Sequence, residues 1–225
     1  MTSTEHITSA VKNLLDDIPE GTILVAAAKS RTSEEIQAAL KAGIKYFGEN
    51  YIQEAERIIP GFQGKVSWHM IGHLQRNKVN KAVHLFDMVE TVDSIRLADA
   101  LNRACEREGL QMPVLIEVNS GKEDNKNGIL PDQAPVLAMH IDSLPHLKLQ
   151  GLMTMGPLMG NPEDARPYFQ VTRALYEKIA EMDLPDSDLR YLSMGMSNSY
   201  QVALEEGANI IRIGTKIFGP RNQNR

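Results

Sequence analysis

Short apolar runs alternate with amphipathic stretches along the whole 225-residue chain, and no other feature limits its possible folds so severely. A run of four to eight apolar residues followed by apolar positions three and four apart is the pattern of a buried parallel strand and its crossover helix. The strands read as Ile23 to Ala28, Ile44 to Gly48, Val66 to Ile71, a run within His84 to Thr91, Val114 to Asn119, Leu147 to Met153, Arg190 to Ser193 and Asn209 to Ile213. Helices between them carry start and stop signals. Thr32 and Glu35 make a capping box, Gly43 stops that helix, Asn50 opens the next, and Asn161-Pro162 opens a long one reaching Met182. Further helices are expected over 93–108, 131–142 and 198–206, the last stopped by Gly207. Ile7, Val11, Leu14, Leu15 and Ile18 add an amphipathic helix over 4–18, expected to close one end of the fold. Eight such units spell a single (β/α)8 TIM barrel spanning residues 1–225, with an extra N-terminal helix, rather than an open doubly wound sheet.

Charge and cysteine usage narrow the function classes. A net charge of −5 with no block of like charge argues against nucleic-acid binding. Cys105 is the only cysteine, so no disulfide forms within the chain, and a reducing compartment fits. The N-terminus lacks the basic start and apolar core of a signal peptide, and no run reaches the ~20 apolar residues of a membrane span. A cytoplasmic protein without membrane contact is expected.

In a TIM barrel the reactive groups stand at the C-terminal ends of the strands. Those ends carry Lys29, Asn50, His69, Asn119, Met153, Met196-Ser197 and Gly214-Thr215. Lys29 ends an apolar run, and an unprotonated amine there can form a Schiff base with a carbonyl; a solvated loop lysine is the plain alternative. Ser193-Met194-Gly195-Met196-Ser197-Asn198 and Ile211-Arg212-Ile213-Gly214-Thr215 contain the parts of a phosphate cup: glycines that admit an anion to backbone N–H groups, two hydroxyls and a helix N-terminus. Taken singly, Gly195 makes a turn and Ser197 or Asn198 caps a helix. Strand alternation sets Arg212 opposite to Ile211 and Ile213 and so into the barrel, where it needs an acceptor. An ion pair with Glu117 or Glu49 would also provide one.

An imine-forming lysine, a phosphate cup and an inward arginine together suggest pyridoxal 5'-phosphate (PLP). Longer motifs point the same way: Ala28-Lys29, Phe47-Gly48-Glu49-Asn50-Tyr51-Ile52-Gln53-Glu54, the stretch from Trp68 to Lys78, Gly151-Leu152-Met153-Thr154-Met155, Ser193 to Ser197 and Arg212 to Gly219. On these the chain resembles the pyridoxal phosphate homeostasis protein family, whose barrel is shared with the N-terminal domain of alanine racemases. The resemblance implies that Lys29 is the Schiff-base lysine, that Ser197, Gly214 and Thr215 hold the phosphate with Met196 in the same motif, and that Arg212 faces the pyridine nitrogen. It places Asn50 and His69 in the cofactor pocket. The family frequently has an aspartate shortly after Gly-Met-Ser, where this chain reads Asn198-Ser199.

Other patterns take the plainer reading. His69 and His73 have metal-pair spacing, but Gly72 lies between them and no third ligand is evident, so no metal is expected. Gln75-Arg76-Asn77-Lys78 reads as a solvated helix start, with a second anion site as the alternative. Glu123 to Gly128 lacks EF-hand spacing and reads as a surface loop. Racemisation needs acid–base groups on both faces of a substrate carbon. The family's racemase relatives take the second group from another domain, whereas this chain ends at Arg225, just after the eighth strand. Tyr51 or Tyr200 could substitute only poorly, Tyr51 being expected to pack on its own helix. The expectation is therefore a monomeric, non-catalytic PLP carrier with a role in vitamin B6 and amino-acid homeostasis, able to pass PLP to PLP-dependent apoenzymes. A PLP-dependent racemase of narrow scope is the alternative. A class I aldolase using Lys29 alone would leave Arg212 and the phosphate cup little to do.

Overall fold

Parallel pairing of the first strand with the last leaves the sheet without an edge. In the computed structural model, which describes residues 3–157 and 160–220, β1 (Ile23–Ala27) pairs with β8 (Ile210–Ile213), matching Ile23 to Ile210 and Val25 to Arg212. Between them lie β2 (Tyr46–Glu49), β3 (Ser67–Met70), β4 (Met88–Val92), β5 (Met112–Val118), β6 (Leu147–Thr154) and β7 (Tyr191–Ser193), each parallel to the next in a closed barrel. The expected span of 1–225 includes residues 1, 2, 158, 159 and 221–225, Arg225 among them, which lie outside the described residues.

The crossovers are α2 (Ser33–Lys41), α3 (Ile52–Ile58), α4 (Val79–Leu85), α5 (Ile95–Glu108), α6 (Ala134–Asp142), α7 (Arg166–Ala180) and α8 (Tyr200–Glu205). Thr32 caps α2 as expected: its side chain accepts from the Glu35 N–H while Glu35 reaches back to the Thr32 N–H. Asn161 does the same with Asp164, opening a short 3₁₀ turn (Pro162–Ala165) that runs into α7. The fourth strand, expected within His84 to Thr91, starts at Met88, because α4 continues to Leu85 with Val83 buried against the outer core. A one-turn helix, α9 (Thr215–Phe218), follows β8 and was not foreseen.

The N-terminal helix α1 (Ser3–Asp17) packs beside α2 and α9. It flanks the barrel where the first and last units meet, instead of closing an end. Ile7, Val11 and Leu14 are its buried stripe, in line with their helical spacing.

Strand alternation separates two cores. Leu24, Ala26, Phe47, Trp68, Val89, Leu152, Ile211 and Ile213 face the helices. Val25, Ile71, Met88, Leu115, Met153 and Ile210 face the lumen. Period-two spacing then assigns His69, Glu90, Glu117, Ser193 and Arg212 to the lumen as well, all buried, whereas Glu49 shares the outer face with Phe47. The lumen thus holds an apolar cluster and a set of buried polar side chains side by side.

Candidate functional site

Lys29 stands two residues beyond β1, on the rim rather than in the strand. Its Nζ donates to the hydroxyl of Tyr51 at 3.0 Å and sits 4.5 Å from the centre of that ring. Tyr51 is half exposed and occupies the N-cap position of α3, where it makes no side-chain cap. Two expectations are corrected here. Asn50 is not the helix cap, and Tyr51 reaches across to Lys29 instead of lying on its own helix. Ser30, next along, has φ of 58°, the left-handed region that side chains other than glycine rarely adopt, and its N–H donates to Glu54 Oε2 at 2.7 Å. Arg31 turns away from Lys29, donating to the carbonyls of Phe218 at 3.1 Å and Gly219 at 2.7 Å.

On the other side of Lys29, the loops after β7 and β8 meet at one oxygen. Ser197 Oγ accepts from the N–H of Gly214 at 3.3 Å and of Lys216 at 3.4 Å. These N–H groups belong to the start of α9. The helix after Ser197 contributes no such terminus, because α8 begins only at Tyr200, with Ser199 at its N-cap and Asn198 exposed. Gly195 has φ of 91°, and a Cβ on it would lie 2.6 Å from Ala203 Cβ and 2.9 Å from Tyr200 Cα, so the tight turn admits no side chain. Met196 is half-buried in this turn, its N–H donating to Ser199 Oγ, and Thr215 is exposed on the rim. Tyr200 lies away from Lys29, donating to Asp17 at 2.6 Å and accepting from Lys216 Nζ at 2.8 Å.

Below the rim lies a buried polar chain. His69 Nδ1 meets Glu90 Oε1 at 2.6 Å, Ser193 donates to Glu90 Oε2 at 2.5 Å, and Arg212 donates to Ser193 Oγ and, at 2.8 Å, to the carbonyl of Thr154. Arg212 Nη1 is 3.8 Å from Glu90 Oε2. The carboxylate that answers Arg212 is therefore Glu90, and not Glu49, which faces the helices, or Glu117, which acts only through its charge. Burial alone would raise the Glu90 carboxyl, but the His69 hydrogen bond and charge, Arg212 and Ser193 outweigh it and hold Glu90 below its ordinary value. Burial lowers Arg212, opposed by Glu90 and Glu117. Glu90 and Ser193 were missed in the sequence, although Glu90 alternates with Met88 on one strand face just as Arg212 does with Ile210. His69, at 3% exposure, belongs to this chain.

Two further carboxyls are buried with one oxygen each unpartnered, Glu49 and Glu117. Burial, with repulsion from Glu54, pushes Glu49 up to about 8; burial, with repulsion from Asp93, pushes Glu117 up to about 7. Asn50 lines a cleft of about 410 Å³ with Tyr51, His73, Gln75 and Lys78. His73 pairs with Asp93 at 3.4 Å, and among the described residues no group of three or more His, Cys, Asp or Glu could hold a metal ion. Arg76 to Lys78 form a 3₁₀ turn leading into α4. Asn119 is buried and ties down its loop, donating to the Glu123 carbonyl at 2.8 Å, and Met153 fills the inner core.

Residues 4–222 match the family described as alanine racemase, N-terminal domain. A pyridoxal phosphate homeostasis protein of Aquifex aeolicus is 38% identical over 200 residues, covering 88% of this chain and 86% of that one. The chain belongs to the pyridoxal phosphate homeostasis protein family. The fold of this family member agrees with solved structures. PipY of Synechococcus elongatus without PLP gives a TM-score of 0.89 at 32% identity, covering 95% of this chain and 100% of that one. PipY with PLP bound gives 0.87 at 31%, with the same coverage. Alanine racemase of Clostridium difficile gives 0.81 at 13% identity, covering 99% of this chain and 60% of that one, a likeness of fold alone. Among the described residues of this family member no helix is long and apolar enough to cross a membrane.

Proposed function

We propose that this chain binds PLP at the barrel mouth and serves intracellular PLP and amino-acid homeostasis, holding the cofactor through Lys29 and releasing it to apoenzymes in the cytoplasm as a monomeric carrier. The observation that carries the reading is the placement of one amine at the mouth of the barrel beside a set of converging backbone donors. Lys29 Nζ stands on the rim after β1, and the next loops around the barrel gather the Gly214 and Lys216 N–H groups at Ser197 Oγ. Those donors and the exposed Thr215 hydroxyl suit a phosphate, the Lys29 amine suits an aldehyde, and Arg212 below them, a donor only, suits an unprotonated ring nitrogen. Asn50 and Met196 border the mouth, and His69 supports it through Glu90. The relatives named for PLP homeostasis and PipY with PLP bound support the same assignment.

When bound, the cofactor supplies an aldehyde carbon for a reversible covalent link and an electron-withdrawing ring. The protein's own residues do the rest. Lys29 would provide the amine, Ser197 and the start of α9 would anchor the anion, and Arg212 would disfavour a proton on the ring nitrogen, which weakens the electron sink for aminotransferase-type chemistry but does not argue against racemisation. Lys29 and Tyr51 are hydrogen-bonded to each other, which brings two acid–base groups together at the rim. Two-base racemisation asks for opposite sides. The relatives named for PLP homeostasis favour a carrier, while a racemase of narrow scope is the second reading because Tyr51 is so close to Lys29.

The deciding experiment is the visible spectrum of purified protein with and without added PLP, followed by borohydride reduction and peptide mapping. Lys29→Ala is expected to abolish the reduced adduct yet leave weaker, phosphate-anchored binding; a full adduct on another lysine would overturn the assignment. No absorbance band at saturating PLP would return Lys29 to an aldolase or a plain loop residue. Exchange of amino-acid α-protons with deuterated solvent at a rate well above that of free PLP would replace the carrier by the racemase.

A further inference from the structure

Lys29, Ser30 and Arg31 form one turn, and each residue is held by a different tie. On one side the tie is α3. Tyr51 at its N-cap and Glu54 three residues later lie on the same helical face; the first takes the Lys29 side chain at 3.0 Å and the second takes the Ser30 N–H at 2.7 Å. On the other side the tie is α9. Arg31 is largely buried, stacks 5.3 Å from the centre of the Phe218 ring, and donates to the last carbonyls of that short helix, Phe218 and Gly219. The same helix begins at Gly214 and Lys216, whose N–H groups meet Ser197.

Ser30 shows that the turn is held rather than relaxed. A left-handed backbone costs a non-glycine residue about 1 kcal/mol or more and persists where surrounding contacts over-determine it. The Ser30 N–H is fixed by the Glu54 carboxylate, a charge-assisted bond, and the Arg31 guanidinium is fixed by two carbonyls. The geometry points to Glu54 and Arg31 as positioning residues: together they clamp the Lys29–Ser30–Arg31 turn between α3 and α9, and so fix the Lys29 amine relative to the backbone donors at Ser197. Neither needs to touch the cofactor. The inference rests on the PLP-binding reading for its consequence, though not for its geometry.

Two measurements on full-length Glu54→Ala, Glu54→Gln and Arg31→Ala test the clamp. The first is hydrogen exchange of the peptide carrying Ser30 in protein free of PLP. Glu54→Ala is expected to speed it about tenfold, the loss of one hydrogen bond to a charged acceptor, and Glu54→Gln, which keeps an acceptor, is expected to restore part of the protection. The second separates PLP retained on gel filtration from PLP fixed to Lys29 by borohydride. Loss of positioning lowers the fixed fraction about tenfold, the same hydrogen-bond loss, and total retention much less; Arg31→Ala is expected to lower total retention as well, but the fixed fraction further.

Unchanged exchange at Ser30 in Glu54→Ala would overturn the clamp. So would a fixed fraction that falls only in step with total retention and with the melting temperature, since that is plain destabilisation. Where Glu54→Ala does not fold, Glu54→Gln carries the same comparison: exchange and fixed fraction close to those of the unsubstituted protein support the clamp, and loss of both overturns the claim that an acceptor is what Ser30 needs. If unsubstituted protein takes up no PLP, the functional reading fails, while the exchange experiment still decides the clamp.

Discussion

Arg212 has five N–H donors and no means of losing its charge, so its burial at 5% exposure has to be answered by acceptors. Ser193 Oγ, the Thr154 carbonyl and the charge of Glu90 answer it, and Glu90 in turn depends on Arg212. Removing one member of such a set leaves a buried charge uncompensated. Arg212→Leu is therefore expected to cost about 3–5 kcal/mol in urea unfolding and to weaken PLP binding with an altered spectrum. Glu90→Gln added to it should recover part of the stability, and a Leu variant as stable as the parent would remove the network from the account. Glu49 acts in the opposite sense. Its folded value near 8 lies above the ordinary 4.5, so the folded chain keeps a proton that the unfolded chain releases. Stability from this group is thus full below about 4.5, falls as pH rises, and levels off above about 8. Glu49→Gln is expected to flatten that decline when urea midpoints are compared near either limit, leaving the smaller decline due to Glu117, whose sign is the same. A parallel decline in both proteins would show that Glu49 is ionised when folded.

Among the secondary elements, the caps divide instructively. Thr32 with Glu35 was legible because a capping box is closed by residues three apart, and Asn161 with Pro162 because a cap and a first-position proline are adjacent, both without help from the rest of the fold. Thr32→Ala is expected to cost about 1 kcal/mol, read as a shift in urea midpoint with an unchanged slope; no shift would mean that packing of Ile36 and Ala39 alone fixes α2. Asn50 and Asn198 look equally good as caps and are not used. A Cβ on Gly72 would lie 2.4 Å from the Asn50 carbonyl, so Asn50 is pressed against the β3 loop and the helix starts later. Likewise the turn forced by Gly195 delays α8 to Tyr200, and the backbone donors that meet Ser197 come from α9, an element of four residues with too little periodicity to read. His84 and Leu85 could be strand or helix by composition, and burial of Val83 against the outer core decides for helix up to Leu85.

For the whole molecule, the alternation of short apolar runs with amphipathic segments was sufficient for an eight-unit parallel barrel, since crossover helices leave few other ways to bury both faces of such strands. The same periodicity placed Lys29 at the rim and turned Arg212 inward. Neither needs knowledge of a distant residue, because strand period and strand end are local properties of the chain. The partners do need it. β4 and β8 are four strands apart in an eight-strand barrel, so Glu90 and Arg212 meet only across the lumen, and Ser193 joins Glu90 over 103 positions of sequence. Tyr51 meets Lys29, Glu54 meets Ser30, and Arg31 reaches Phe218 only once β1 has been paired with β2 on one side and β8 on the other. The sequence by itself determined which side chains point into the barrel and which amine stands at its mouth. Closure of the sheet decided what each of them touches, because register and curvature are properties of all eight strands together.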